Sequence, residues 1–426
     1  MYINAGIYSG RCDCGRTHEI FTKAAIIEPG CLSQFEMYME NYGISGKRCA
    51  LYAHNTFAAA EGKRPSAEQT ILIDPNGLHA DEKSTAEVLE KLECDVEVIL
   101  AIGSGTIHDI ARYCANARGI RFVSVPTAAS VDGFCSTVAA MTWYGFKKTM
   151  PAVAPEIVIA DIDIIKKAPP ELVRSGVGDI IAKYTALADW EISNAVTGEY
   201  LCRKIYDIMR LAADATVESI SGILEQSDDA YVKVMFALVM SGIAMQMMGN
   251  SRPASGAEHH IAHLTEMKPA AFEVRFPALH GEKTGVGSVV ASREYHRLAE
   301  ITDISPLLRD YIPVTTKDIR AFFGGTLAES IIKENKHDCL KTVTKASLGA
   351  AWPQIREIVS TIPSPERIED LLSKLGAKKS LENIGISDTE LDSLLNYAPL
   401  VRNRLTLMRM RRLMNFEEPQ EGADNA

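Results

Sequence analysis

Between Arg48 and Asp161 short apolar runs alternate with helical patterns: CALYA, TILI, the helix STAEVLEKLE, VEVILAI, the helix IHDIARYCANA, RFVSVP and EIVIAD. Such alternation predicts a parallel sheet with helices packed on its faces. Ligands of such sheets bind beyond the carboxyl ends of the strands. After EIVIADIDII the texture changes to long helical patterns, and Pro169 and Pro170 in KKAPPELV break the preceding element. The expectation is an α/β domain with a parallel sheet over residues 1–168, an all-α domain over residues 169–426, and a cleft between them.

A chain of 426 residues is long enough for two sizeable cores, and 46% apolar with 23% charged residues is ordinary globular composition. The net charge of −10 argues against nucleic acid and anionic membrane as partners. Nine widely spread cysteines suggest reduced thiols in the cytoplasm rather than a disulfide framework. No secretory signal opens the chain, and the apolar run Val234 to Met248 reads as a buried core helix, too short and interrupted to span a membrane.

VEVILAI ends directly in Gly103-Ser104-Gly105-Thr106. Glycines there let the backbone approach a pyrophosphate, and the next helix offers unpaired N–H donors. The turn is not a full G-x-G-x-x-G fingerprint, because Asp109 stands where small residues would continue it, so a plain strand-to-helix turn is the competing reading. The following strand ends in PTAASVDGFCST, where Thr127, Ser130 and Ser136 can donate hydroxyls to a ligand. Asp132 is the one acid in that loop; on spacing alone it is a turn residue before Gly133.

The richest stretch is SRPASGAEHHIAHLTEMKPAAFEVRFPALHGEKTGVG, Ser251 to Gly287, which carries four of the ten histidines. Ser255 and Glu258 read as a capping box, so a helix starting there presents His259 and His263 on one face, while His260 points elsewhere. His280 follows a loop with two prolines and opens HGEKTGVG, whose small residues allow a helix to pack closely. Two imidazoles on one face and a third from a later turn can hold a divalent metal if a carboxylate completes the shell. Asp179 in SGVGDIIAKY, read as opening a helix with Lys183 one turn on, is the nominee.

The motifs GSGTIHD, PTAASVDGFCS, SGVGDIIAKY, SRPASGAEHHIAH and HGEKTGVG occur in the order found in the superfamily of iron-containing alcohol dehydrogenases, glycerol dehydrogenases and dehydroquinate synthases. From roughly Arg48 to Gly287 the chain resembles that superfamily, and within it most closely the sn-glycerol-1-phosphate dehydrogenase branch. The resemblance implies a dehydroquinate synthase-like fold and NAD or NADP bound by Gly103, Ser104, Gly105, Thr106, Asp109, Thr127, Ser130 and Ser136. It further implies one divalent metal, zinc or nickel with iron possible, held by Asp179, His259 and His280. Asp132, Asp179 and His263 then face the substrate as catalytic groups. The implied reaction is hydride transfer at C2 between dihydroxyacetone phosphate and sn-glycerol 1-phosphate in a homodimeric enzyme. Another polyol dehydrogenase, a dehydroquinate-synthase-like cyclase, or a nucleotide-binding regulator with a dead site are the competing readings. Asp179 where the cyclases carry a glutamate argues against the second, and intact ligand residues argue against the third. Coenzyme choice stays open, since the turn after CALYA offers His54 and Asn55 where related chains often carry an acid.

Four smaller features complete the reading. Cys12, Cys14 and His18 in CDCGRTHEI could bind zinc, but C-x-C is tight for a structural site and a fourth ligand is missing, so a hairpin or edge element is expected. LVRNRLTLMRMRRLMNF reads as a packed helix with a solvated basic face, and the tail NFEEPQEGADNA as disordered. Arg252, Lys147, Lys148 and Lys183 are the cations available for a substrate phosphate.

Overall fold

Each apolar run expected to be a strand is one in the computed structural model, which describes residues 1–416. They are β5 (Arg48–Ala53), β6 (Gln69–Ile73), β7 (Val98–Gly103), β8 (Arg121–Pro126) and β11 (Ile157–Asp161). Two earlier strands, β1 (Tyr2–Asn4) and β4 (Ala24–Glu28), join them in a seven-stranded sheet of order β1-β4-β11-β8-β7-β5-β6. All neighbours run parallel except β1, which lies antiparallel at the edge. The sheet therefore reaches back further than the pattern beginning at Arg48 suggests. Ala24–Glu28 lies upstream of the alternation that begins at Arg48, and its pairing with β11 is wholly long-range.

Two hairpins stand outside this sheet. β2 (Gly10–Arg11) pairs with β3 (Thr17–His18), as expected for the CDCGRTHEI stretch. β9 (Val138–Trp143) pairs with β10 (Phe146–Pro151) across Tyr144 and Gly145, both at positive φ. The second hairpin was not anticipated.

The helices that position the site are α1 (Glu82–Lys91), α2 (Gly105–Arg118), α3 (Pro170–Ile181), α4 (Lys183–Thr197), α5 (Arg203–Glu218), α6 (Asp228–Met248), α7 (Ala257–Met267) and α8 (His280–Ala299). No named strand follows β11 among the described residues. Pro170 occupies the first turn of α3, where its missing N–H costs nothing, so the proline pair starts a helix as well as ending the preceding segment. α6 is apolar all round, and with 21 residues it has the length to cross a membrane, contrary to the shorter run read from sequence. Its most apolar window is 78% buried inside the protein, as a core helix requires.

Three local expectations are corrected. Asp179 lies in the last turn of α3 rather than opening a helix, because the Pro170 start shifts the helix upstream. Gly256, not Ser255, is the N-cap of α7; the Glu258 carboxylate still accepts the N-cap N–H, at 2.6 Å from Gly256. The basic segment near the C-terminus is broken into two 3-10 turns, Ala398–Leu400 and Arg411–Leu413, and one short helix, Leu407–Met410. Its basic residues are not all solvated: Arg409 is fully buried and donates to Asn335, Asp338 and the carbonyl oxygen of Arg402. Most of the segment expected to be disordered, residues 417–426, lies outside the described residues.

α3, α7 and α8 meet through glycines. A methyl group at Gly281 would collide with the Ser175 carbonyl oxygen, one at Gly178 with the Gly281 carbonyl oxygen, and one at Gly287 would sit 2.6 Å from the Glu258 carbonyl oxygen. Helix backbones are thus in direct contact, and the side chains at their ends converge. Gly281→Ala is expected to destabilise the fold by about 1–3 kcal/mol through overpacking, read as a lowered midpoint in denaturant unfolding. An unchanged midpoint would show that the helices have room to separate.

Candidate active site

The strand ends and the helix ends enclose a cleft of about 260 Å³. On the sheet side it is lined by Ser104, Gly105, Thr106, Asp109, Ser130, Asp132 and Ser136. Asp179, His259, His263 and His280 line the helical side, and Lys147 and Thr149 of β10 close a third wall. Gly103 and Thr127 stand behind the wall, where the Thr127 N–H donates to the Gly103 carbonyl at 3.0 Å and ties the ends of β7 and β8 together.

Ser104 is the N-cap of α2 and makes no side-chain cap bond, and Ser104, Gly105 and Thr106, at the positive end of the helix, line the cleft. The Ser104 carbonyl accepts from His108 Nδ1 at 2.9 Å, which fixes the turn from behind. Ser130 Oγ is buried without a partner, whereas Ser136 Oγ accepts the Val138 N–H at 3.0 Å. Burial raises the Asp109 carboxyl above its usual range, opposed by Arg112 3.8 Å away and by Lys147.

On the opposite wall one ligand atom each from Asp179, His259 and His280 lies within 4.8 Å of the others. His259 Nε2 is 3.5 Å from Asp179 Oδ1. Each histidine is held from behind by a carboxylate: His259 Nδ1 bonds Glu258 Oε1 at 2.8 Å, and His280 Nδ1 bonds Glu266 Oε1 at 2.8 Å. Such pairs place the proton on Nδ1 and leave Nε2 free to ligate. Neither glutamate was singled out as a metal-site residue. In the sequence Glu258 reads as a helix cap, and Glu266 lies three residues further along the His259, His263 face.

Lys183 is fully buried, with Nζ 2.7 Å from Asp132 Oδ2, 3.2 Å from Asp179 Oδ1 and 3.0 Å from the Ala254 carbonyl. Asp132 also accepts from Ser241 Oγ at 2.8 Å, and its N–H donates to Asp179 Oδ2 at 3.0 Å. The loop after β8 and the end of α3 therefore form one hydrogen-bonded unit. Burial opposes ionisation of Asp179, but Lys183 and His259 hold its carboxyl well below the usual range. For His259, burial favours the neutral form, yet Asp179 and Glu258 raise its pKa to about 9.

His263 behaves oppositely. Burial, reinforced by Arg402, keeps it neutral, and its Nδ1 is buried without a partner. Its ring stacks at 5.8 Å on His280. His260 is fully buried and lies outside the cleft lining.

Of the four cations considered for a phosphate, Lys183 is enclosed by the two aspartates. Arg252 is engaged by Glu199 and by the Asp189 and Leu405 carbonyls, and Lys148 is exposed outside the cleft lining. Lys147 lines the cleft, 3.4 Å from Glu266 Oε2.

Residues 26–169 match the family described as iron-containing alcohol dehydrogenase. The solved structure of sulfoacetaldehyde reductase from Bifidobacterium kashiwanohense in complex with NAD+ aligns with a TM-score of 0.56 at 14% identity, covering 90% of this chain and 91% of that one. Fold and matched segment define the class, a parallel-sheet α/β half followed by a helical half. A glycerol-1-phosphate dehydrogenase with NAD(P)+ in its name, from Geobacillus stearothermophilus, is 33% identical over 411 residues, covering 93% of this chain and 94% of the relative. One of the same name from Bacillus subtilis (strain 168) is 32% identical over 335 residues, covering 78% of this chain and 74% of the relative. The chain belongs to this glycerol-1-phosphate dehydrogenase family.

His108, inside the GSGTIHD turn, carries a pH signature. Burial lowers its pKa from 6.5 to about 3. Between those values the unfolded chain takes up a proton that the folded chain does not, so stability is full above the unfolded value and is lost as pH falls. The expected slope is at most about 1.4 kcal/mol per pH unit. Denaturant unfolding across that window should show a shallower acid slope for His108→Gln than for the wild type. Identical slopes would assign the acid sensitivity to other groups.

Proposed function

We propose that the chain interconverts dihydroxyacetone phosphate and sn-glycerol 1-phosphate, with NAD(P) bound against the sheet ends and a divalent metal held by Asp179, His259 and His280. The observation that carries this reading is the convergence of one carboxylate and two imidazoles, each imidazole backed by its own glutamate, on the wall facing the α2 N-terminus. That donor set fits zinc, nickel or iron. When bound, the metal supplies Lewis-acid polarisation of the C2 oxygen, and the nicotinamide supplies or accepts the hydride.

The chain's own groups do the rest. The first-turn N–H groups of α2, with Ser104, Gly105 and Thr106, bind the coenzyme pyrophosphate, and Ser130 Oγ is free to donate to the coenzyme. Lys183 keeps Asp179 ionised and ties Asp179 and Asp132 into one geometry. His263, neutral and unpaired at Nδ1, holds a substrate hydroxyl and relays the proton that leaves or joins the C2 oxygen. Lys147 and Thr149 bind the substrate phosphate from the β9–β10 hairpin.

Incubating the protein with NADH or NADPH, a divalent metal and dihydroxyacetone phosphate should consume the reduced nicotinamide and yield the sn-1 enantiomer. Asp179→Asn should lose bound metal and most of kcat. Full activity in that variant would refute the ligand assignment. Lys147→Ala removes a charge-assisted contact of about 1.5–3 kcal/mol. It should therefore cut kcat/KM for dihydroxyacetone phosphate by roughly 10- to 150-fold while sparing unphosphorylated dihydroxyacetone. Equal losses on both substrates would move the phosphate site elsewhere.

A further inference from the structure

The hairpin at the start of the chain brings Cys12, Cys14 and His18 together with Cys202, and the ligand atoms of all four lie within 4.8 Å of one another. The fourth ligand that the sequence lacks locally comes from the N-cap of α5. We infer that these four side chains form a second metal centre, a closed Cys3His zinc site separate from the catalytic cleft, that fastens the β2–β3 hairpin to the helical half.

The spacing is that of ligands around one ion. Tetrahedral bonds of about 2.3 Å to sulfur and about 2.0 Å to nitrogen separate neighbouring sulfurs by about 3.8 Å, and sulfur from nitrogen by about 3.5 Å. Here Cys12 Sγ and Cys202 Sγ are 3.9 Å apart, and His18 Nε2 is 3.5 Å from both Cys14 Sγ and Cys202 Sγ. The surroundings are built for a metal as well. His18 Nδ1 donates to the Met247 carbonyl at 2.7 Å, so the free lone pair is on Nε2, the nitrogen that faces the sulfurs. Tyr200 OH lies 3.0 Å from Cys14 Sγ, where it can donate to a thiolate as an outer partner. The tight C-x-C spacing is made possible by a turn in which the Gly15 N–H donates to the Cys12 carbonyl, with Gly15 at φ 86.

The cluster is half enclosed: His18 and Cys202 are 2% and 0% exposed, Cys12 and Cys14 are partly buried, and the hairpin itself has only two residue pairs to hold it. Two short strands are not independently stable. A closed site with no open coordination position is structural, and its binding free energy is folding free energy. Its role is to hold the first residues of the chain against α5 and α6, beside the edge of the sheet.

The two metal sites differ in one testable respect: the catalytic candidate has no sulfur, and this one has three. Full-length protein treated with chelator until activity is lost, and recovers on adding metal back, should still retain one equivalent of zinc per chain. A Cys14→Ser, Cys202→Ser variant should contain one equivalent less than the wild type. Should that variant fail to fold, the wild type decides: cobalt loading should give sulfur-to-cobalt charge-transfer absorbance, and mercurial titration of the thiols should release one zinc. Equal metal content in variant and wild type, absence of charge transfer in the cobalt protein, or a Cys12–Cys202 disulfide in unreduced protein would each overturn the inference.

Discussion

Direct backbone contact between α3 and α8 is the constraint on which the rest depends. Because Gly178 and Gly281 carry no side chain, the end of α3 and the start of α8 come close enough to put Asp179 and His280 on one point in space. A further glycine, Gly176, lets α3 press on the Ala129 carbonyl in the loop after β8. α3 is thereby clamped between the loop after β8 and helix α8. The distance between the two walls of the cleft is set by backbone atoms, which cannot change rotamer, rather than by long side chains.

Burying so many charges is tolerable only because they close on one another. Lys183 stands between Asp132 and Asp179, His259 between Asp179 and Glu258, and Glu258 also accepts from Thr185 Oγ1 at 2.7 Å. Buried pairs of this kind contribute little net stability, since desolvation offsets their attraction, but removing one partner is costly. Their function is to fix orientation. The network spans the loop after β8 and helices α3, α4 and α7, so a shift in any of these elements reorients Asp179 and His259.

The strands from β5 to β8 and β11 were legible because each is a continuous apolar run bounded by turn residues, and the histidine face of α7 because i, i+4 spacing is local. What escaped was long-range. β4 is recognisable only by its partner β11, and Cys202 joins the hairpin from 184 residues beyond His18 and 190 beyond Cys12. The exact starts of α3 and α7 were displaced by Pro170 and Gly256, since a proline at the first turn and a glycine cap compete well with more familiar signals. The C-terminal arginines were read as solvated because charge runs usually are. Carbonyl and carboxylate groups already positioned by other segments draw Arg409 inward, and no local pattern reports that.

His259 and His263 share one helix face, one turn apart, yet their surroundings drive them in opposite directions. His259 lies between Asp179 and Glu258, an anionic setting that raises its pKa to about 9; His263 is buried near Arg402 and stays neutral. Environments that separate the pKa values of neighbouring groups separate their roles. A position that draws a proton so strongly has negative charge to offer a cation, which supports His259 as the ligand. A neutral ring with an unpaired nitrogen accepts or donates without needing a counter-ion, which supports His263 as the group that meets the substrate. The division rests on which carboxylates and arginines the fold brings near, and so on helices that contact each other through glycine.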